Sequence, residues 1–125
     1  MPKTPKIPTD AELELLQRLW DRGPSTVREL HDAVSQDKQV AYTTVLKQLQ
    51  VMTDKGFVER DVSSRSHVYR PLLEEQSTQR SLLRDLVRRV FRGSRPAMVM
   101  GALSDGEVSA EELAEMRRVL DELDS

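Results

Sequence analysis

Apolar residues recur at helical spacing in the first third of the chain, where Leu13, Leu16, Leu19 and Trp20 fall on one face. Thr9 followed by Glu12 is a capping-box pattern that predicts the start of this helix, and Gly23-Pro24 predicts its end. A second short helix starts at Ser25 or Thr26, with Glu29 completing a capping box for Thr26, and has Val27, Leu30 and Val34 as its stripe. After the polar link of residues 35–39, a third helix is predicted from about Ala41 to Lys55. Gly56 stops it, as suits a left-handed cap.

Beyond Gly56 the period changes. FVERDV and HVYRPL are short β-prone runs joined by the polar SSRS, the pattern of a hairpin. Helices followed by a hairpin give the order of a winged helix. Helical spacing then returns, with Leu82, Leu83, Leu86, Val87, Val90 and Phe91 forming one stripe up to Gly93. A short segment from Pro96 to Leu103 follows. The last helix opens with a box at Ser109 and Glu112 and carries Leu113, Met116, Leu120 and Leu123 at three-four spacing. The predicted fold class is therefore mainly α with a small β-hairpin wing: a winged helix-turn-helix domain over residues 1–72 and a helical dimerisation domain over 73–125.

The third helix has two unlike faces. Tyr42, Val45, Leu46, Leu49, Met52 and Thr53 fall on one side, and Thr43, Thr44, Lys47, Gln50 and Val51 on the other. Lys47 is the cation of the second face. Thr, Gln and Lys suit hydrogen bonds to base edges, and a valine suits a thymine methyl. A merely solvated face is the competing reading, which the helix-turn-helix and wing order disfavours. The hairpin tip sets Ser63, Ser64, Arg65 and Ser66 between Arg60 and His67, short donors and cations suited to phosphate oxygens or an adjacent minor groove.

Composition narrows the chemistry. A chain of 125 residues is one ordinary domain or two very small ones. With no cysteine and two histidines, disulfides, thiolate metal sites and a cysteine nucleophile are excluded, no metal or cofactor is expected, and His31 reads as a packed or capped side chain. No Gly-rich phosphate loop or catalytic constellation is present, which argues against an enzyme. No apolar run reaches membrane-spanning length, and the basic start MPKTPKIPTD lacks an apolar h-region, so a cytoplasmic protein without a membrane partner is expected.

The formal net charge of −2 conceals segregation. Residues 76–103 hold six arginines against Asp85, whereas residues 104–125 hold eight acids against Arg117 and Arg118. The C-terminal apolar stripes have no sheet to cover them, so a homodimer is expected through Leu86, Val90, Phe91, Leu113, Met116, Leu120 and Leu123. The alternative is a tail folded back on its own winged helix. The arginine row 80, 84, 88 and 92 either pairs with Glu111, Glu112 and Glu115 of a second copy or tracks DNA phosphate; the acidic surplus of the same segment favours pairing.

The run LWDRGPSTVRELHDAVSQDKQVAYTTVLKQLQVMTDKGFVER, with SHVYRPL and the ending SAEELAEMRRVLDEL, resembles the penicillinase-repressor (BlaI/MecI) family of bacterial transcription regulators across about residues 9–123. The resemblance implies a dimeric repressor that binds double-stranded operator DNA at inverted repeats containing TACA and TGTA. Its recognition contacts would fall on Thr43, Thr44, Lys47 and Gln50, with Arg65 and His67 in the wing. Val51 stands where relatives often carry a basic residue. In β-lactam-responsive relatives a regulatory protease cuts an Asn-Phe bond, and the matching positions here are Gly101 and Ala102. Copper-responsive relatives use C-terminal cysteines, which this chain lacks. The alternative from another class is a winged-helix protein-interaction module or scaffold without sequence-specific DNA binding.

Overall fold

The computed structural model describes residues 7–125; the basic residues 1–6 of the N-terminal stretch lie outside the described part. Contacts divide the chain into two compact units, one ending at Leu82 and the other running from Leu83 to Ser125. The sequence reading set its junction ten residues earlier, at 72/73; the division by contacts falls inside a helix.

In the first unit, helix α1 (Asp10–Arg22) and helix α2 (Val27–Ser35) both begin in complete capping boxes. Thr9 Oγ1 accepts the Glu12 N–H at 3.2 Å while the Glu12 carboxylate accepts the Thr9 N–H at 2.9 Å. Thr26 and Glu29 repeat the arrangement. Helix α3 (Tyr42–Lys55) ends at Gly56, whose φ of 82° places it in the left-handed region that a side chain disfavours.

Leu15, Leu16 and Leu19 of α1, Val27, Leu30 and Val34 of α2, and Val45, Leu49 and Met52 of α3 form one buried cluster. Leu13, expected on the inner stripe, is only half-buried, and Leu15 takes the inner place.

Strand β1 is Ser25–Thr26, β2 is Val58–Asp61 and β3 is Val68–Pro71. They form an antiparallel sheet in the order β1-β3-β2. The hairpin was legible as β2 and β3, whereas β1 was absorbed into the start of α2 in the sequence reading. Ser25 pairs with Tyr69 across a long sequence gap, so no local pattern marks it. Tyr69 therefore sits in the middle strand, fully buried, opposite Arg60 on its other side. Phe57 and Val58 close the bottom of the core, and Trp20 Nε1 donates to the Leu73 carbonyl at 3.0 Å. The winged hairpin is thus anchored on the same apolar core that holds α3.

Helix α4 (Glu75–Val90) crosses between the units and ends where Arg92 and Gly93 both take positive φ, 52° and 83°. Helix α5 (Arg95–Leu103) is capped by Ser94, and helix α6 (Ala110–Asp124) by a box of Ser109 and Glu112. From Leu83 onward Val87 is the buried residue, and neither α5 nor α6 buries any side chain. No helix among the described residues is long and apolar enough to cross a membrane.

Candidate nucleic-acid interface

Three contacts fix the position of α3 on its scaffold. Its inner residues Val45, Leu49 and Met52 are packed into the core. At its C-terminal end, Lys55 Nζ donates to the Glu12 carboxylate at 2.7 Å and lies 5.6 Å from the Phe57 ring centroid. Burial alone would raise the Glu12 pKa. The hydrogen bonds from Lys55 and the Thr9 backbone outweigh that and hold the carboxyl below its ordinary range. At the N-terminal end, His31 Nε2 donates to the Val40 carbonyl at 2.8 Å, and its ring meets Tyr42 edge-on at 5.7 Å between centroids. His31 is thus the packed, hydrogen-bonded side chain the sequence implied, and it braces the turn between α2 and α3.

The outer face then follows from the helical repeat. Thr43, Thr44, Lys47 and Gln50 are all exposed, and their three- and four-residue spacings bring them onto one surface. Lys47 makes no ion pair among the described residues. Val51 continues this face at 39% exposure. Tyr42 has the helical phase of the inner side, as the sequence implies, but it is 44% exposed rather than buried with Val45, Leu49 and Met52. Its first-turn position was the available signal, since core contacts of α3 begin only at Val45. Ala41 offers no side-chain hydrogen bond to the first turn.

At the wing, Asp61 accepts the Ser63 N–H at 2.9 Å, and Ser64 Oγ donates to the Ser66 carbonyl at 2.6 Å, which shapes the tip. Hydrogen bonding from Ser63, its hydroxyl first and then its backbone, keeps the Asp61 pKa low. Glu59 and Arg70 pair across the two strands at 2.8 Å, as their register requires, so that arginine is neutralised. Arg60, Arg65 and His67 are exposed without an ion pair among the described residues. The two groups of candidate contacts therefore stand on α3 and on the wing of one compact unit. No cluster of three or more potential metal ligands occurs among the described residues.

In the second unit, Leu86 and Val90 are exposed and Phe91 half-buried on α4 and its end; on α6, Leu113 and Met116 are half-buried, while Leu120 and Leu123 are 62% and 79% exposed. Gly101 and Ala102 are exposed within α5, where a Cβ at 101 would stand in ordinary contact with the Phe91 ring at 3.6 Å.

Residues 8–122 match the penicillinase repressor family. The chain belongs to that family. It is 34% identical over 118 residues to the transcriptional regulator BlaI of Mycobacterium tuberculosis, covering 93% of this chain and 84% of that protein. It is 26% identical over 122 residues to the penicillinase repressor of Bacillus licheniformis, covering 98% and 94%. The solution structure of the DNA binding domain of the repressor BlaI superposes with a TM-score of 0.51 at 28% identity, covering 60% of this chain and 90% of that one. Homologues of this penicillinase repressor family member are thus transcriptional repressors rather than enzymes, and the winged unit has the fold of a repressor's DNA-binding domain.

Proposed function

We propose that this chain is a homodimeric, sequence-specific repressor that reads an inverted-repeat operator with two copies of α3. The observation that carries this reading is the outer face of α3: Thr43, Thr44, Lys47 and Gln50, exposed on a helix whose other side is locked into the core. Its side chains hold hydrogen-bond donors and acceptors and a cation without an internal partner, as base-edge recognition in a major groove requires. Arg65 and His67 supply backbone or minor-groove contacts from the wing.

Residues 1–72 read DNA, and residues 73–125 associate two copies through Leu86, Val90, Phe91, Leu113, Met116, Leu120 and Leu123. The exposed apolar stripe of α6, none of whose residues is buried in the single chain, supports that association. One winged helix buries only about 600 to 1,000 Å² on DNA, so tight binding needs two. Two-fold symmetry then demands half-sites about one helical turn, or a multiple of it, apart.

The test is Lys47→Ala and Thr44→Ala, measured against the site that the unmutated protein selects from random-sequence DNA. Each lost base contact costs about 1 to 3 kcal/mol and occurs once per half-site, while the circular dichroism spectrum stays unchanged. Unchanged affinity in both variants would put the reading face elsewhere, and binding to no DNA sequence would favour a protein-interaction module.

A further inference from the structure

Helix α3 carries a single acid, Asp54, in its last turn. At about 100° per residue it falls within about 20° of both Thr43 and Lys47, across the helix from Val45, Leu49 and Met52, and so lies on the midline of the outer face. Gln50 and Val51 stand to either side of that line. Asp54 is exposed, and its carboxylate takes no hydrogen bond or ion pair among the described residues. Lys55 beside it is committed to Glu12 at 2.7 Å, and Gln50 and Val51, one turn back, bring no charge.

This placement is unfavourable on two counts. The carbonyl end of a helix carries partial negative charge, which disfavours an acid there. A face that meets DNA also enters the negative potential of the phosphates, and Asp54 balances the charge of Lys47, so the outer face has no net attraction for the backbone. In water the carboxylate is hydrated and costs little. In a groove it loses that hydration and needs a donor in exchange. On the major-groove edge of a base pair, the donor suited to a carboxylate is the cytosine N4 amino group. A midline position aims the side chain at the groove floor, where that donor lies; the phosphates stand along the walls, which the flanks of the face meet.

We propose that Asp54 is a specificity-determining residue that accepts a hydrogen bond from a cytosine amino group in each half-site. The inference rests on the reading of α3 as the base-reading helix and deepens it. Ten residues of helix, about 15 Å, separate Thr44 from Asp54, which is about four base-pair steps for a helix lying along the groove. The threonines and Asp54 thus read opposite ends of the half-site, with Lys47 between them. Thymine presents its O4 acceptor where cytosine presents the amino group, so the carboxylate attracts one pyrimidine and repels the other.

The test is Asp54→Asn in the full chain, a change that keeps the shape, removes the charge and adds an amide donor. Selection from random-sequence DNA by the unmutated chain supplies the site. Fluorescence anisotropy then measures both proteins on that site, on versions with each C·G pair in turn replaced by T·A in both half-sites, and on random-sequence DNA. For the unmutated chain one such replacement should lower affinity about tenfold or more per half-site. Asp54→Asn should lose that preference at this pair alone, keep the preferences at the other pairs, and bind random DNA at least as tightly as the unmutated chain. Equal strengthening on every DNA would make Asp54 a repeller of phosphate and overturn the contact. A half-site without a C·G pair, or a preference at every C·G pair that survives the substitution, overturns it as well. An unmutated chain that selects no consensus removes the base-reading role of α3 itself, which is a separate failure.

Discussion

Replacing Glu12 by alanine probes how α3 is held on its scaffold. The Glu12 side chain is among the few buried charged groups, with the residue 5% exposed. One carboxylate oxygen accepts the Thr9 N–H at 2.9 Å, and the other accepts Lys55 Nζ at 2.7 Å. A hydrogen bond to a charged group is worth about 1.5 to 3 kcal/mol, and the loss of half a capping box adds to this. The side chain of Lys55 is 23% exposed and can turn its ammonium to water, so the substitution does not strand a buried charge. Glu12→Ala should therefore cost about 2 to 4 kcal/mol, below the upper range for breaking a fully buried pair. Urea unfolding followed by circular dichroism measures it as a lower midpoint at unchanged slope.

The sign with pH follows from the same contacts. The folded-state pKa of Glu12 lies below its ordinary value of 4.5, so the folded state holds fewer protons on this group in acid than the unfolded chain does. Its contribution is complete above the unfolded pKa and is lost as pH falls through the lowered folded value. Glu12→Gln should flatten the fall in stability below about pH 4.5. A Glu12→Ala variant within about 0.5 kcal/mol of the original, or an acid profile unchanged by Glu12→Gln, would refute this account of the pair.

Two further outcomes follow from the proposed interface. Arg65→Ala should lower affinity for selected and random DNA by similar factors and reduce the salt slope by about one, as measured by fluorescence anisotropy across a salt series; a loss confined to the selected site would make Arg65 a base or groove reader. Leu120→Asp puts a charge on the exposed stripe of α6 and should yield a folded monomer in sedimentation with most operator affinity lost; an undisturbed dimer would move the association face off α6.

The parts of this molecule that sequence revealed are those governed by neighbours in the chain. The capping boxes at Thr9, Thr26 and Ser109 each join residues three apart, and all three form. Gly56 adopts the left-handed cap its position implied. The outward placement of Thr43, Thr44, Lys47 and Gln50 followed from helical pitch alone.

What stayed hidden depends on partners far along the chain. Strand β1 exists only because Ser25 and Thr26 meet Tyr69 and Val68. Glu12 reads as a cap residue, yet its second oxygen meets Lys55, 43 residues away. Tyr42 falls on the inner side by helical pitch, but at the first turn of α3 its ring meets His31 and the residue stays 44% exposed. The neutralisation of Arg70 by Glu59 needed the strand register.

The most direct measurement of the central claim is selection of binding sites from random-sequence DNA by the full chain, with the stoichiometry of the recovered complex read by native mass spectrometry. A two-fold symmetric consensus with half-sites about one helical turn or a multiple apart, bound by two copies and no longer enriched by Lys47→Ala, is the predicted result. Recovery of an asymmetric site bound by one copy, or of no consensus at all, would contradict it.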